Sequence, residues 1–143
     1  MLLGTYSVKL ASNHRTSIPS PLRKDLGQDL IIAKWYEECL VLVSKQSLNA
    51  LLDRVIGTDN LITSPVRGSE HFIFTGAFEI IGDDQGRIVI PEVLIKYGHL
   101  GEDIYFLGIG DRVEVWNKDI WDERLEKITK DAPDYIDQIL KTK

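Results

Sequence analysis

Apolar residues are distributed along the chain in two similar series, and each series predicts several short strands. In the first series, Tyr6, Val8 and Leu10 alternate with polar residues, which predicts a strand over 4–10. The segments 30–33 and 40–43 are apolar at every position, as is typical of strands covered on both faces. Further strands are predicted over 77–81, 104–107 and 113–116, and a short strand ends at each of two Ile-Pro pairs, over 15–18 and 87–90.

Helical spacing of apolar residues predicts amphipathic helices between and after these strands. The strongest signal is the i, i+3, i+4, i+7 pattern of Leu48, Leu51, Leu52 and Val55. Shorter helices are predicted over 21–26, 64–75 and 91–97. A last helix is expected to follow the capping residue Asn117, to break at Pro133, and to be succeeded by a short helix over 134–140.

A five-residue motif, Arg-x-x-Ile-Pro, occurs twice and divides these elements into two similar sets. Arg15-Thr16-Ser17-Ile18-Pro19 returns as Arg87-Ile88-Val89-Ile90-Pro91, 72 positions later, in the same local order of elements. The chain is therefore predicted to hold two repeats of about 50 residues each, at 1–56 and 77–128. A connector with a helix over 57–76 joins them, and a C-terminal helical tail over 129–143 completes one globular unit. Because small sheets are marginal in water, we expect the two repeats to interlock about a pseudo-twofold axis.

Composition and charge narrow the class of protein without defining its function. The 143 residues are 43% hydrophobic and 27% charged, as in ordinary soluble proteins, and no apolar run reaches the roughly 20 residues of a membrane span. The amino terminus lacks the pattern of an export signal and Cys39 has no disulfide partner, so we expect a cytoplasmic protein. The net charge is −5, but residues 1–50 carry six Lys or Arg against four acids.

The repeated order of strand, Asp-x-x-x-Arg turn, Ile-Pro, short helix and hairpin closing on Trp resembles the MraZ family over about residues 1–128. That family belongs to the AbrB/SpoVT-like, swapped-hairpin class of DNA-binding proteins. The resemblance implies an α+β fold in which two pseudo-symmetric β-α-β repeats interlock in a double-split β-barrel with flanking helices. It also implies a nucleoid-associated regulator of the division and cell wall gene cluster. By the same resemblance, such a regulator would bind tandem promoter repeats of double-stranded DNA as a ring-like homo-oligomer.

One of the two turns departs from the family pattern. The second turn, from Asp83 to Arg87, is complete, and Asp83 and Gly86 are expected to be its structural residues. The first turn has Ala11 in the place of the Asp and His14 in the place of the Gly. Without that carboxylate, either Arg15 is freer to reach an outside anion or the first turn is built differently.

The strand pair that carries these turns is the predicted DNA-binding site, because a two-stranded ribbon fits the major groove. An Arg can donate two parallel hydrogen bonds to a guanine edge or to a phosphate, and hydroxyl and amide groups can form hydrogen bonds with phosphates or bases. A Lys that contacts a phosphate releases counterions from the DNA. Arg87 lies near several acids, so an intramolecular ion pair or a subunit contact is favoured over DNA there. Arg15 is the main candidate, with a solvated or ion-paired Arg as its alternative. The candidate DNA-binding residues are Lys9, Asn13, His14, Arg15, Thr16, Ser17 and Arg87.

Other functions find less support in the sequence. There is no Ser-His-Asp arrangement, no glycine-rich phosphate loop and no His or Cys spacing suited to a metal, so no enzyme activity, cofactor, metal or small-molecule substrate is expected. An AbrB-like antitoxin that binds a toxin partner and its own promoter is the alternative, although residues 117–143 predict ordered helix rather than a disordered tail. The aromatic-rich segment 66–78 is either core or subunit interface.

Overall fold

The computed structural model describes residues 1–58 and 63–142, and it confirms the α+β class. The strands are β1 (Leu2–Lys9), β2 (Arg15–Ser17), β3 (Asp29–Trp35), β4 (Cys39–Ser44), β5 (Ala77–Ile81), β6 (Arg87–Val89), β7 (Asp103–Gly110) and β8 (Val113–Asn117). The helices are α1 (Ser20–Leu26), α2 (Leu48–Ile56), α3 (Ser64–Thr75), α4 (Glu92–Tyr97) and α5 (Lys118–Lys141), and a single 3-10 turn, Lys45–Ser47, precedes α2.

The strands of the first half of the chain, β1 to β4, pair with those of the second half, β5 to β8. Six of them form one antiparallel sheet in the order β1-β7-β8-β4-β3-β5. The remaining two, β2 and β6, form a separate antiparallel pair, which we call the β2–β6 ribbon. Each half alone would keep only its own hairpin, β3–β4 or β7–β8, so the sheet exists only because the halves interleave. The closed double-split barrel is not confirmed, because β1 and β5 are open edges of the six-stranded sheet.

The sheet is buried on both faces, which explains why its central strands are apolar at successive positions. Along β3, Leu30 and Ile32 point into one hydrophobic cluster, whereas Ile31 and Ala33 point into the other. Strand β4 alternates in the same way. Because successive side chains of a strand leave opposite faces, a strand covered twice must be apolar throughout, and the prediction for 30–33 and 40–43 is confirmed.

The helices divide between the two faces. Helices α1 and α4 follow Pro19 and Pro91 and bury Leu22, Leu26 and Leu94 against the face that also receives the ribbon. Helices α2 and α3 cover the opposite face together with Trp35 and Trp116, and they bury leucine and isoleucine side chains there. The ribbon is therefore held on the body of the protein by a core that α1 and α4 close.

The predicted break at Pro133 is wrong, because α5 is one helix of 24 residues with Pro133 inside it. Proline has no amide hydrogen, so the carbonyl of the residue four positions earlier, Thr129, loses its hydrogen-bond donor within the helix. Thr129 is exposed, so water can satisfy that carbonyl and the helix continues. None of the helices in the described ranges is both long and apolar enough to cross a bilayer.

The predicted boundaries of the repeats at 1–56 and 77–128 stay predictions. The connector over 57–76 contains α3, but its residues 59–62 lie outside the described residues, as does residue 143 of the tail. Helix α5 runs without interruption across the predicted boundary between 128 and 129. Cys39 is buried within β4, and burial raises the pKa of its thiol far above the ordinary value, which fits an unreactive core residue.

Candidate nucleic-acid interface

The β2–β6 ribbon presents one face to solvent and one to the core. Its antiparallel register aligns Arg15 with Val89, Thr16 with Ile88, and Ser17 with Arg87. The central pair, Thr16 and Ile88, is buried, while the four flanking residues are exposed. Since side chains on a strand alternate between faces, the outward surface of the ribbon carries Arg15, Ser17, Arg87 and Val89.

Thr16 is therefore misplaced in the predicted set of DNA-binding residues. Its side chain is 5% exposed, and its hydroxyl donates to the carbonyl oxygen of Lys9 over 2.9 Å. A hydroxyl that satisfies a backbone carbonyl beside the core is unavailable to an outside ligand. The role of Thr16 is to tie the ribbon to the end of β1, and we remove it from the candidate interface.

In the second turn, a carboxylate fixes the backbone and neutralises the arginine. Asp83 Oδ1 accepts hydrogen bonds from the amides of Gln85 and Arg87, both at 2.9 Å, and its Oδ2 accepts from Arg87 Nε at 2.6 Å. The Arg87 amide and then its guanidinium lower the pKa of Asp83 below its ordinary range. Gly86 takes the left-handed backbone conformation, with φ of +75°, that this turn requires.

The first turn follows the same backbone path without the carboxylate. The amide of Ala11 donates to the carbonyl of Arg15, and the amide of His14 donates to the carbonyl of Ala11, both at 2.9 Å. The second turn makes the same two bonds: the Asp83 amide donates to the Arg87 carbonyl at 3.2 Å, and the Gly86 amide donates to the Asp83 carbonyl at 2.9 Å. His14 adopts φ of +66°, and Asn13 Oδ1 accepts from the Arg15 amide at 3.2 Å. The turn is thus built alike, with Asn13 replacing part of what the missing Asp would do.

Arg15 and Arg87 consequently differ in charge balance. Across residues 1–58 and 63–142, Arg15 makes no ion pair, whereas Arg87 is held by Asp83. Both line a shallow cavity of about 160 Å³ together with Asp83 and three apolar residues of β5 and β6. That volume is well below the roughly 300 Å³ of ordinary small-molecule sites, so the surface suits an extended ligand better than an enclosed one.

Lys9, the other predicted cation, is balanced by acids of β7 and the residue before it. Its ammonium donates to Asp103 and lies 4.0 Å from Glu102. The hydrogen bond to Asp103, followed by the charge of the same carboxylate, raises the pKa of Lys9. A ligand phosphate would have to compete with these two carboxylates for Lys9, so its contribution to anion binding is smaller than that of an unpaired cation.

Arg23 is a candidate that the sequence did not reveal. Its side chain lies across Gly86, so closely that a Cβ on Gly86 would come within 2.2 Å of Arg23 Cδ and 2.9 Å of Nε. Arg23 Nε is buried without a hydrogen-bond partner, and within the described parts of the chain its guanidinium forms no ion pair. Spacing could not identify it, because α1 belongs to one half of the chain and the turn it touches belongs to the other.

The described residues contain no arrangement of side chains that could form a metal site. No group of three or more His, Cys, Asp or Glu side chains is placed there to hold an ion. What the site offers is a pair of guanidinium groups without acidic partners, Arg15 and Arg23. The ribbon also carries the Ser17 hydroxyl, and the first turn carries the Asn13 amide and the His14 ring. These groups are donors suited to phosphate oxygens and to base edges.

The fold is thus an interleaved α+β sheet with an exposed two-stranded ribbon. A family model described as "MraZ protein, putative antitoxin-like" matches residues 73–136. Three curated relatives carry the name transcriptional regulator MraZ. The protein of Bifidobacterium longum is 31% identical over 98% of this chain and 93% of its own length. That of Acetivibrio thermocellus is 38% identical over 85% of each chain, and that of Clostridium tetani is 33% identical over 86% of each. The chain belongs to the MraZ family.

Proposed function

We propose that this protein is a sequence-specific DNA-binding transcriptional regulator that uses the β2–β6 ribbon as its contact surface. The names of its relatives support a role in transcription. The single observation that carries the proposal is the exposed Arg15, which no acid of the described chain neutralises, on a ribbon of a size that the major groove admits. A regulator of this kind needs no cofactor, metal or catalytic group.

Within this proposal the residues around the ribbon have different roles. Arg15 reads a guanine edge or clamps a phosphate, because its planar guanidinium offers two parallel donors. Ser17, on the same face, and Asn13 and His14, in the adjoining turn, add neutral hydrogen bonds to phosphates or bases. The remaining cations contribute charge: Arg23 beside the second turn, and Lys9 and Arg87 as lesser contacts that are balanced by acids within the chain.

Self-association would turn weak single contacts into tight binding. Each copy presents one ribbon, and ribbons in one assembly gain avidity when their DNA sites recur on the same side of the duplex. We therefore propose binding to tandem repeats in the promoter of the division and cell wall gene cluster by a ring-like homo-oligomer in the nucleoid. The two interleaved halves, as repeats of a double-split barrel, would let one chain supply a surface that simpler swapped-hairpin proteins build from two.

The test is footprinting of the purified protein on the DNA upstream of its own gene, with random duplex of equal length as the control. Protection of regularly spaced repeats is expected, and equal binding to random duplex would contradict sequence specificity. Gel shifts with Arg15→Ala and Arg87→Ala then assign the face. Arg15→Ala should weaken binding by about 5- to 150-fold, the range for loss of a bidentate base contact, and Arg87→Ala should do less. A larger loss from Arg87→Ala would reverse the assignment.

An antitoxin that binds a toxin partner and its own promoter remains the second candidate. The exposed apolar residues of α5 favour it, because an antitoxin needs a partner-binding surface besides its DNA-binding face. Against it, α5 is a continuous helix through Lys141, whereas antitoxin tails that wrap a toxin are usually disordered before binding. Co-purification of a small toxin at fixed stoichiometry would support the second candidate.

A further inference from the structure

The two halves of the β2–β6 ribbon present different chemistry on the outward surface. Ser17 and Val89 hold equivalent positions in the two Arg-x-x-Ile-Pro motifs, 72 residues apart. The register places Val89 opposite Arg15 and Ser17 opposite Arg87. One half therefore combines an apolar side chain with the arginine that makes no ion pair in the described chain. The other half combines a hydroxyl with the arginine that Asp83 holds.

Val89 belongs to a small apolar patch that is open to solvent. Its side chain is 50% exposed, and Ile81, at the end of β5, is 77% exposed. We call these two residues the Val89 patch. Both line the shallow cavity of about 160 Å³ that Arg15 also lines. A water molecule takes about 30 Å³, so this cavity admits a methyl-sized group from outside but not an ordinary small molecule.

A guanidinium without an acidic partner beside an apolar patch limits what can cover this surface. An apolar protein surface would bury Arg15 without an acceptor, and burial of an unpaired charge is strongly unfavourable. A phosphate alone would satisfy Arg15 but would leave the Val89 patch against charged oxygens. The major groove offers both partners, because guanine presents two acceptors there and thymine presents its apolar 5-methyl group.

The distance between the two groups suits base pairs that are close together in the duplex. Side chains directly opposite each other in an antiparallel pair have Cβ atoms about 4.5–5.5 Å apart. Successive base pairs are about 3.4 Å apart along the duplex. A guanine that Arg15 contacts and a methyl group that Val89 contacts therefore lie within about two base pairs of each other.

We propose that the Val89 patch determines base specificity by receiving the 5-methyl group of a thymine near the base that Arg15 contacts. The inference rests on the proposed function, since it names a base that the ribbon reads. Ser17, at the equivalent position, offers a hydroxyl instead of an apolar group, so the thymine contact belongs to one half of the ribbon. The ribbon therefore binds its site in one orientation, and that site is not a palindrome.

The first experiment changes the DNA and leaves the protein intact. Each thymine of one protected repeat in the footprinted promoter is replaced in turn by deoxyuridine, which pairs with adenine in the same way and lacks only the 5-methyl group. Gel shifts then compare the affinity of the full-length wild type for each duplex. Replacement at one position should weaken binding about 3- to 5-fold for each engaged copy, since burial of one methylene-sized group contributes a factor of about four.

The second experiment uses Val89→Ser, which gives this position the side chain that stands at Ser17. The matched control is Val55→Ser, the same change at a valine of similar exposure, 46%, in α2 on the opposite face of the sheet. Far-UV circular dichroism and urea unfolding check that both variants fold. Val89→Ser should bind the thymine and deoxyuridine duplexes alike, whereas Val55→Ser should discriminate between them as the wild type does. A merely structural effect would weaken binding to both duplexes and keep the discrimination.

Three results would overturn the proposal. The wild type binds every deoxyuridine duplex as tightly as the thymine duplex, the protected repeat contains no thymine, or Val89→Ser keeps the full discrimination. Each of these leaves the DNA-binding function of the ribbon intact as long as the wild type prefers the promoter over random duplex. A wild type without that preference would contradict the proposed function and this inference together.

Discussion

Gly86→Ala probes the turn that positions both Arg87 and Arg23. Gly86 has φ of +75°, a left-handed conformation that side chains other than glycine rarely adopt. An alanine Cβ there would come within 2.2 Å of Arg23 Cδ and 3.1 Å of the Ile18 carbonyl oxygen. The first overlap forces the Arg23 side chain to move, and the second requires a backbone shift of a few tenths of an ångström.

The two costs of this substitution can be added in order of magnitude. The left-handed conformation costs a non-glycine residue about 1–2 kcal/mol. Relief of the overlaps costs about 1–3 kcal/mol if it resembles overpacking elsewhere, and the lower end applies because Arg23 is flexible. Replacing glycine also stabilises by about 0.5–1 kcal/mol, because the unfolded chain loses freedom. We therefore expect a net loss of about 1–3 kcal/mol in the free energy of unfolding, which for a protein of this size corresponds to roughly 3–12 °C in Tm.

The assay is urea unfolding monitored by circular dichroism, with His14→Gly as the matched substitution in the other turn. His14 has φ of +66°, so glycine relieves a cost of about 1–2 kcal/mol while adding about 0.5–1 kcal/mol of chain entropy. The expected net effect is a gain of about 0–1.5 kcal/mol. The reasoning fails if Gly86→Ala stays within about 0.5 kcal/mol of wild type, or if His14→Gly destabilises by more than about 1 kcal/mol, the full entropy cost.

Three further outcomes follow from the geometry. Ala11→Asp supplies the first turn with the acid that holds Arg87 in the second, so it should weaken DNA binding at least about 5-fold in a gel shift without loss of folding, and unchanged affinity would argue against an unpaired Arg15. Wild type should be more stable than Asp83→Asn at neutral pH, because the folded protein lowers the pKa of the Asp83 carboxylate. This difference in the free energy of unfolding should shrink as pH falls below the ordinary pKa of 3.8 and through the lowered pKa of Asp83. Urea unfolding from pH 7 to pH 2 measures it, and a difference that does not change with pH would contradict this. Glu114→Ala removes one of the two carboxylates that pair at 2.9 Å with the half-buried guanidinium of Arg112, the other being Asp111. It also removes the acceptor of the buried Trp116 Nε1, so it should cost about 1–3 kcal/mol in urea unfolding, and a stability equal to that of wild type would contradict this role of Glu114.

Much of the fold follows from local signals in the sequence. The central strands are apolar at successive positions because both faces of the sheet are covered, and Pro19 and Pro91 precede the two short helices. Asn117 accepts from the Ile120 amide at 3.0 Å, which is the cap its position indicates. The break expected at Pro133 was wrong because a helix in contact with water can lose one hydrogen bond and continue.

The site was less accessible to sequence reasoning, because its decisive contacts join distant parts of the chain. The short segment 15–18 did not show which of its side chains would face inward, and Thr16, a predicted DNA-binding residue, faces the core. Arg23 reaches the turn at Gly86 only because the halves interleave, which no local pattern encodes. The difference in acidic neighbours between Arg15 and Arg87 was visible in the residues themselves, since one turn has Asp83 and the other has Ala11.

The most direct test of the central claim is the salt dependence of DNA binding by wild type, Arg15→Ala and Arg87→Ala on the same promoter duplex. Each phosphate contact contributes about 0.9 to the slope of log affinity against log salt concentration. If Arg15 clamps a phosphate, its loss lowers that slope by about 0.9 per engaged copy, and if it reads a base the affinity falls at every salt concentration. The Arg87 variant should follow the wild type closely. A wild-type affinity that does not change with salt, or an Arg15→Ala curve that coincides with it, would contradict the account.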